Sequence, residues 1–288
     1  MNYAALIQNR KSVREFRDKV VPFKLLGQIK TYYQKSVRRL VPEIETELYF
    51  FGTDARDALE GAAGYHNFLV GAPQYLVLLS EQHPQAHLNA GFMMEDLILK
   101  LTDLELASCW VTFTDSDQVK EALGIESSLE VAAIAAFGYG VPTTRRLRLN
   151  IKSMSDIDIV AKRHYFEPKV RVSDLVHKDA WGNRDGLDKA IGFYDDMLWE
   201  SFYAASLAPS YLNRQAYGFL LEGGRVTLVG KPDEYNTPID SDLSLGIVLL
   251  HFTAVAENWA GKLNWNFAPS ADGLQIPADH KLIASAPL

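Results

Sequence analysis

"LSLGIVLLHFTAVAENWAGKLNW", Leu243 to Trp265, is apolar on almost every helical face as far as Ala256, then passes Gly261 and reaches a tryptophan. A helix without a polar stripe is one buried on all sides. "HLNAGFMMEDLILKLTDLELASCWV", His87 to Val111, has the same character as a buried helix and also leads to a tryptophan, Trp110. Each segment carries a glycine near its start, Gly91 and Gly246, and each follows a strand and a polar loop. Before the first, "PQYLVLLSE" (Pro73–Glu81) is short and rich in Leu and Val after the turn-forming "VGAP". Before the second, "GFLLEGGRVTLVGK" (Gly218–Lys231) places two apolar runs around Gly223-Gly224, a two-residue hairpin signal. "LEVAAIAAFGYGVP" (Leu129–Pro142) is another buried strand, stopped by two glycines and a proline. This repeated order predicts an α+β chain of two pseudo-twofold related halves, with mixed or antiparallel central sheets flanked by helices. Two copies are too few for a solenoid, which stacks three or more. The halves are expected at residues 1–142 and 187–288, packed as one unit, with 143–186 connecting them.

Outward from these segments, Tyr3 to Gln8 reads as a short helix, and helical spacing resumes after Pro22 in "VVPFKLLGQIKTYYQKSV". Thr143 to Arg171 is polar, clusters Arg145, Arg146, Arg148 and Lys152, and reads as a surface connection. A helix is expected from Leu187 to Ser206, because Ile191, Tyr194, Leu198, Phe202 and Ala205 recur at three- and four-residue spacings before "APS". The chain of 288 residues has 29 Lys+Arg against 36 Asp+Glu, a net charge of −7. Without a basic face to displace counterions, nucleic acid is not an expected partner. Single Cys109 allows no internal disulfide, and "MNYAALIQNRKS" lacks a signal-peptide pattern, so a reducing, cytoplasmic home is expected. Leu243 to Ala256, interrupted by Ser244, His251 and Thr253, is shorter than the ~20 residues of a bilayer span, and no membrane span is expected.

Chemical signatures are few. The chain has no Walker loop, GxGxxG, GxSxG or HExxH. His83 and His87 stand at helical spacing with Pro84 between them and no third ligand, so no metal is expected. Cys109 beside Trp110 reads as a small buried hydrophobe, and Asp240 and Asp242 as caps of the helix that follows. What remains is "NRKSVREF", Asn9 to Phe16. In an extended segment Arg10, Ser12 and Arg14 point to one side, and two guanidiniums flanking a hydroxyl suit a phosphate dianion. Taken alone, the octet reads first as a charged surface turn whose arginines pair with nearby acids, and only second as an anion site.

Arg10, Ser12, Arg14 and Phe16 resemble the Arg-x-Ser-x-Arg/Lys-x-Phe opening of the FMN-dependent nitroreductase family. "APSYLNRQAYGF" is similar to that family's Ala-Pro-Ser-x-x-Asn-x-Gln-Pro-Trp segment at Ala208, Pro209, Ser210, Asn213 and Gln215, and "LELASCWV" to its Gly-Leu-Gly-Thr-Cys-Trp turn. The closing "AFGYGVP" with its downstream arginines fits as well. Departures are Ala216-Tyr217 for Pro-Trp, and Glu105 and Ala107 where glycines are usual. The Ala-Pro-Ser segment also begins at Ala208, in the far half of the chain. Ordinary members are homodimers with FMN at the interface, so the resemblance implies a fused, monomeric pseudo-dimer with one composite site. The first half would give the phosphate motif and the second the covering loop.

The resemblance further implies an enzyme that passes electrons from NAD(P)H through FMN to a small acceptor, a nitroaromatic or quinone, in ping-pong order. The flavin carries the chemistry, and no catalytic side chain is expected. The implied cofactor-binding residues are Arg10, Lys11, Ser12 and Arg14: Arg10 and Ser12 would bind the phosphate, with Arg145 or Arg146 as a second cation, and Arg14 would sit nearer the ribityl chain and the pyrimidine edge of the flavin. Ser108 would lie near the reactive ring nitrogen, and Pro209, Ser210 and Asn213 would close the site. The alternatives are a flavin protein without turnover, its pocket filled by Tyr211, Tyr217 or Trp265, and a small-molecule binder that has lost FMN.

Overall fold

The computed structural model describes residues 1–66, 68–142, 145–153, 156–163, 167–184, 195–270 and 274–288; along 145–163 it describes the backbone and, of the side chains, only Val160. The first half runs through α1 (Tyr3–Asn9), α2 (Phe23–Lys35), β1 (Thr46–Phe51), α3 (Ala55–Ala58), β2 (Gln74–Ser80), α4 (Ala86–Asp103), β3 (Ala107–Val111), α5 (Ser116–Leu123) and β4 (Glu130–Gly138). Its sheet has the order β1-β2-β4-β3 and is antiparallel throughout. After an antiparallel hairpin of β5 (Arg145–Ser153) and β6 (Asp156–Arg163) come α6 (Val172–Leu175), β7 (Val176–Lys178) and α7 (Asp195–Ser206). The chain ends with β8 (Tyr217–Glu222), β9 (Arg225–Gly230), α8 (Pro238–Ala256) and β10 (Lys281–Pro287). This second sheet has the order β10-β9-β8-β7, antiparallel except that β7 runs parallel to β8.

Period-two alternation explains the burial of the first sheet. Leu76 and Leu78 of β2, with Ala133, Ala135 and Phe137 of β4, pack toward α4 and α2. Tyr75, Val77 and Leu79, with Ile134 and Ala136, face the opposite cluster, which includes Leu59 after α3 and Val119 of α5. The second sheet packs Phe219, Leu221, Val226 and Leu228 against α7 and α8. The antiparallel order β10-β9-β8 thus repeats β4-β2-β1, and α4 and α8 lie together between the two sheets.

The contact between these helices is reciprocal. A Cβ on Gly91 would overlap the Leu243 carbonyl, and a Cβ on Gly246 would overlap the Leu88 carbonyl. One constant separation along the chain divides Leu88 from Leu243, Asn89 from Ser244, Gly91 from Gly246 and Trp110 from Trp265. Asn89 and Ser244 also do matching work at the loops that follow α2 and α7. Asn89 Oδ1 accepts from the N–H groups of Leu40 and Val41, each at 3.0 Å, and Ser244 Oγ accepts from the Tyr211 N–H at 3.1 Å. Self-complementary pairing of this kind is the signature of a twofold relation, and the two halves are pseudo-twofold related.

Two expectations change. The helix predicted to run on toward Trp110 ends at Asp103, because Glu105 turns into the left-handed region (φ 59°) and Ala107–Val111 pairs with β4 instead. The surface connection over 143–171 contains the β5–β6 hairpin, whose register sets Leu147 opposite Ala161, Leu149 opposite Ile159 and Ile151 opposite Ile157. The alternation in "RRLRLNIK" carried that strand signal. α8 is long and apolar enough to cross a membrane by length and composition, yet most of it is buried inside this fold. The predicted start of α7 at Leu187 lies outside the described residues, which take it up at Asp195.

Candidate functional site

The basic octet adds itself to the free edge of β3. The Val13 N–H donates to the Ser108 carbonyl at 2.8 Å, the Arg17 N–H to the Tyr139 carbonyl at 2.8 Å, and the Val141 N–H to the Glu15 carbonyl at 3.0 Å. Extended backbone carries Ser12 and Arg14 to the same side, and both line a cavity of about 440 Å³. From the first half the cavity also takes Tyr65, Phe68, Cys109, Trp110 and Thr112. The second half contributes Pro209, Ser210, Tyr211, Asn213, Asp240 and Ser244. Five of the residues singled out from sequence, two from the octet and three from the loop after α7, therefore meet at one cavity between the halves.

That loop is held in a demanding conformation. Leu212, Asn213 and Gln215 all have positive φ (48°, 57° and 51°), a region that costs a β-carbon-bearing residue about 1–2 kcal/mol. Such strain persists only where the surroundings over-determine it. Here Gln215 N–H donates to Ser210 Oγ at 3.0 Å, Asn213 Nδ2 to the Pro168 carbonyl at 2.9 Å, and Val170 N–H to Gln215 Oε1 at 2.7 Å. Lys169 Nζ adds bonds to the Ala208 carbonyl at 2.8 Å and Asn213 Oδ1 at 3.2 Å. Burial is the main cause that brings the Lys169 ammonium down to about 8, and the Arg10 charge adds to it. Glu167, beside Lys169 in sequence, lines the cavity and stands 3.6 Å from Arg14.

Arg10 takes a different position from Ser12 and Arg14. Its side chain is only 7% exposed, with Nε 3.3 Å from Oε1 of Glu95, a fully buried carboxylate of α4. Glu95 also accepts from the Trp110 indole N–H at 2.7 Å and contacts His251 Nε2 at 3.0 Å. His251 Nδ1 lies 3.0 Å from the Ala204 carbonyl. His251 therefore faces a carbonyl oxygen with one ring nitrogen and a carboxylate oxygen with the other. Burial pushes the Glu95 carboxyl up, but the His251 hydrogen bond, the Arg10 charge and the Trp110 indole outweigh it, so it stays below the usual carboxylate range. This network joins the two halves beneath the cavity wall formed by Trp110.

The remaining sequence candidates separate. Lys11 is exposed. Ser108 is buried, 3% exposed, and presents its carbonyl to the octet, while its neighbour Cys109 lines the cavity. Burial raises the Cys109 thiol, with Arg14 and Arg10 offsetting part of that rise, so it remains a thiol. Arg145 and Arg146 fall on β5, and their side chains lie outside the described residues. Of the aromatics considered as fillers, Tyr211 lines the cavity; Tyr217 is in the core, and Trp265 donates to Thr253 Oγ1 at 3.0 Å. Sequence reading missed Lys169, Tyr65, Phe68, Thr112 and the Glu95–His251 pair. Only the last had a visible signal, as polar residues inside otherwise apolar helices.

Comparison with known proteins adds to this geometry. Residues 2–171, more than half the chain, match the family model described as "Putative TM nitroreductase". The crystal structure of a "putative nitroreductase" of Thermotoga maritima, 17% identical, covers 100% of this chain and 94% of its own at a TM-score of 0.60, which shows a shared fold. A nitroreductase family protein of Clostridium novyi NT (18% identical, TM-score 0.43) covers 49% of this chain and 87% of its own. An FMN-dependent nitroreductase of Clostridium difficile R20291 (19% identical, TM-score 0.41) covers 48% and 87%. No curated protein matches the chain.

Proposed function

The chain belongs to the nitroreductase family and is an oxidoreductase, and from that premise we propose that it binds one FMN and passes electrons from NAD(P)H to a small acceptor, a quinone or nitroaromatic. The observation that carries this reading is the single cavity in which Ser12 and Arg14 of one half meet Pro209, Ser210 and Asn213 of the other. The residues present fit the cofactor. A volume of about 440 Å³ falls within the ~300–1,000 Å³ of small-molecule sites. Arg14 and the Ser12 hydroxyl in the lining suit a phosphate, and Tyr65, Phe68, Trp110 and Tyr211 suit a flat ring system.

Ser12 and Arg14 would grip the phosphate end, with Arg10 behind them. Lys169, close enough to Arg10 to feel its charge and tied to the covering loop, would supply a further cation. Asn213 holds Lys169 in place, so the covering loop and the phosphate corner form one unit. The aromatic wall excludes water, and a cation beside the ring edge favours negative charge there. FMN, when bound, supplies hydride chemistry in two half-reactions, one with NAD(P)H and one with the acceptor. Because one chain brings both faces of the cavity, we expect it to work as a monomer, in a reducing compartment where Cys109 stays reduced.

The test is the absorption spectrum of the purified protein and its FMN-to-chain ratio, followed by rapid mixing with NADPH and NADH. A yellow protein with a ratio near one and a flavin band that bleaches on mixing is the expected result. A colourless protein whose melting temperature ignores added FMN would remove the cofactor, and a yellow protein that never bleaches would remove turnover.

A further inference from the structure

The sequence reads Asp240 as a helix cap, but the N-cap of α8 is Thr237, whose Oγ1 accepts from the Asp240 N–H at 3.1 Å, and Asp240 stands inside the first turn. The side chain has a second situation that capping does not require. It lines the cavity while only 6% exposed, with Oδ1 2.8 Å from the hydroxyl of Thr112 and Oδ2 2.7 Å from that of Thr237. Thr112 follows β3 of the first half and lines the same cavity, so the pair spans the two halves at the wall.

No cation faces this carboxyl among the described residues. Arg214, the other arginine of the wall, is tied to Asp233 at 2.6 Å and lies over Tyr235. The titratable neighbour facing Asp240 is Tyr211, with Tyr65 beyond it. Burial raises Asp240, and the Thr237 and Thr112 hydroxyls offset only part of the rise. Burial without a facing cation favours the acid form of this carboxyl, and a carboxylic acid on a cavity wall is a proton donor.

We propose that Asp240, acting through the Thr112 hydroxyl, supplies the proton that completes reduction of an oxygen-bearing acceptor in this cavity. The inference rests on the oxidoreductase reading above. A quinone that receives a hydride equivalent originating in NAD(P)H needs one proton more to become the hydroquinone. With Asp240 ionised the Thr112 hydroxyl donates to Oδ1; with Asp240 in its acid form that bond reverses, the Asp240 O–H donating to Thr112 Oγ1 and freeing the threonine proton for the acceptor. As the reduced carbonyl oxygen takes the Thr112 hydroxyl proton, the Asp240 O–H bond breaks and its proton restores the threonine hydroxyl. Asp240 is left as a carboxylate and is reprotonated from solvent. Thr112 is the catalytic residue in contact with the acceptor, and Asp240 is the acid behind it.

The experiment compares the holoenzyme with Asp240→Asn and Thr112→Val, using 1,4-benzoquinone, which needs the proton, and ferricyanide, which takes electrons alone. In both variants the ratio of benzoquinone to ferricyanide turnover should fall about 100-fold, the size of a general-acid contribution. Wild-type benzoquinone turnover should decline as pH rises through the Asp240 titration, and Asp240→Asn should lack that limb. Independently of turnover, the infrared spectrum near neutral pH should show a protonated-carboxyl stretch that Asp240→Asn removes and Thr112→Val keeps. Asparagine still accepts from Thr237, so the cap survives; if that variant nevertheless fails to fold, Thr112→Val gives the same ratio. An unchanged ratio, or an infrared spectrum without the Asp240 band, overturns the proposal. A protein in which neither acceptor is reduced and no flavin bleaches instead fails the reading beneath it, whatever the infrared band shows.

Discussion

Arg10 and Arg14 stand four residues apart in one basic octet and do different work. Arg14 is about one-third exposed on the cavity wall, whereas Arg10 is paired with a carboxylate that has no access to water. Removing one member of a buried pair leaves an uncompensated charge, so Arg10→Ala should lower the unfolding free energy by about 3 kcal/mol in urea titrations. Arg14→Ala should leave the urea midpoint within error and weaken FMN retention at least tenfold, read by flavin fluorescence. Alternation alone makes the two arginines equivalent, and the family resemblance puts Arg10 at the phosphate; its burial against Glu95 arises only on folding. Lys169 offers a pH test. Its folded ammonium titrates near 8 against about 10.5 in an unfolded chain, so at pH above 8 the empty site has already released that proton. A bound phosphate would restore it. FMN binding at about pH 9 should therefore take up close to one proton, a net uptake that fades as pH falls toward 7 and is lost in Lys169→Met, measured by calorimetry in two buffers of different ionisation heat.

At the scale of elements, the α4–α8 crossing depends on two glycines that let backbone meet backbone. Alanine normally favours a helix over glycine by about 1 kcal/mol. At Gly91 and Gly246 the added methyl would meet a carbonyl of the opposing helix, which cannot swing aside as a side chain would. Gly91→Ala and Gly246→Ala should each destabilise by roughly 1–3 kcal/mol, and the double variant by less than the sum, because separating the helices once serves both. The long helices and buried strands were legible in sequence because their apolar content is extreme. The end of α4 was not, since "LELASCWV" is as apolar as the helix before it and only the left-handed turn at Glu105 separates them. The β5–β6 hairpin was not legible because cations interleave with its apolar alternation, a pattern that an exposed connection fits equally well.

At the scale of the whole molecule, the two halves share an architecture and differ where function is expected. Around Ser244 the loop after α7 borders the cavity. Around Asn89 the loop after α2 closes on a polar network instead: the Arg38 N–H donates to Asp96 at 2.8 Å, and its guanidinium reaches Glu257 at 2.7 Å and the Tyr3 hydroxyl at 3.2 Å. One FMN per chain and a monomer by sedimentation are the expected results; a ratio near two, or a stable dimer, would contradict the fused arrangement. The repeated order of elements could be read from the chain, and so could the residues that form opposite faces of the site. Their meeting could not, because it depends on the packing of α4 against α8. The matched anchors Asn89 and Ser244 carry a genetic corollary. In a protein assembled from two identical subunits, every codon change strikes both copies of a loop, and neither copy can drift alone. Here the two loops are encoded separately, so saturation mutagenesis should find Arg38 to Pro42 open to any substitution that preserves folding, and Pro209 to Asn213 closed to many that do.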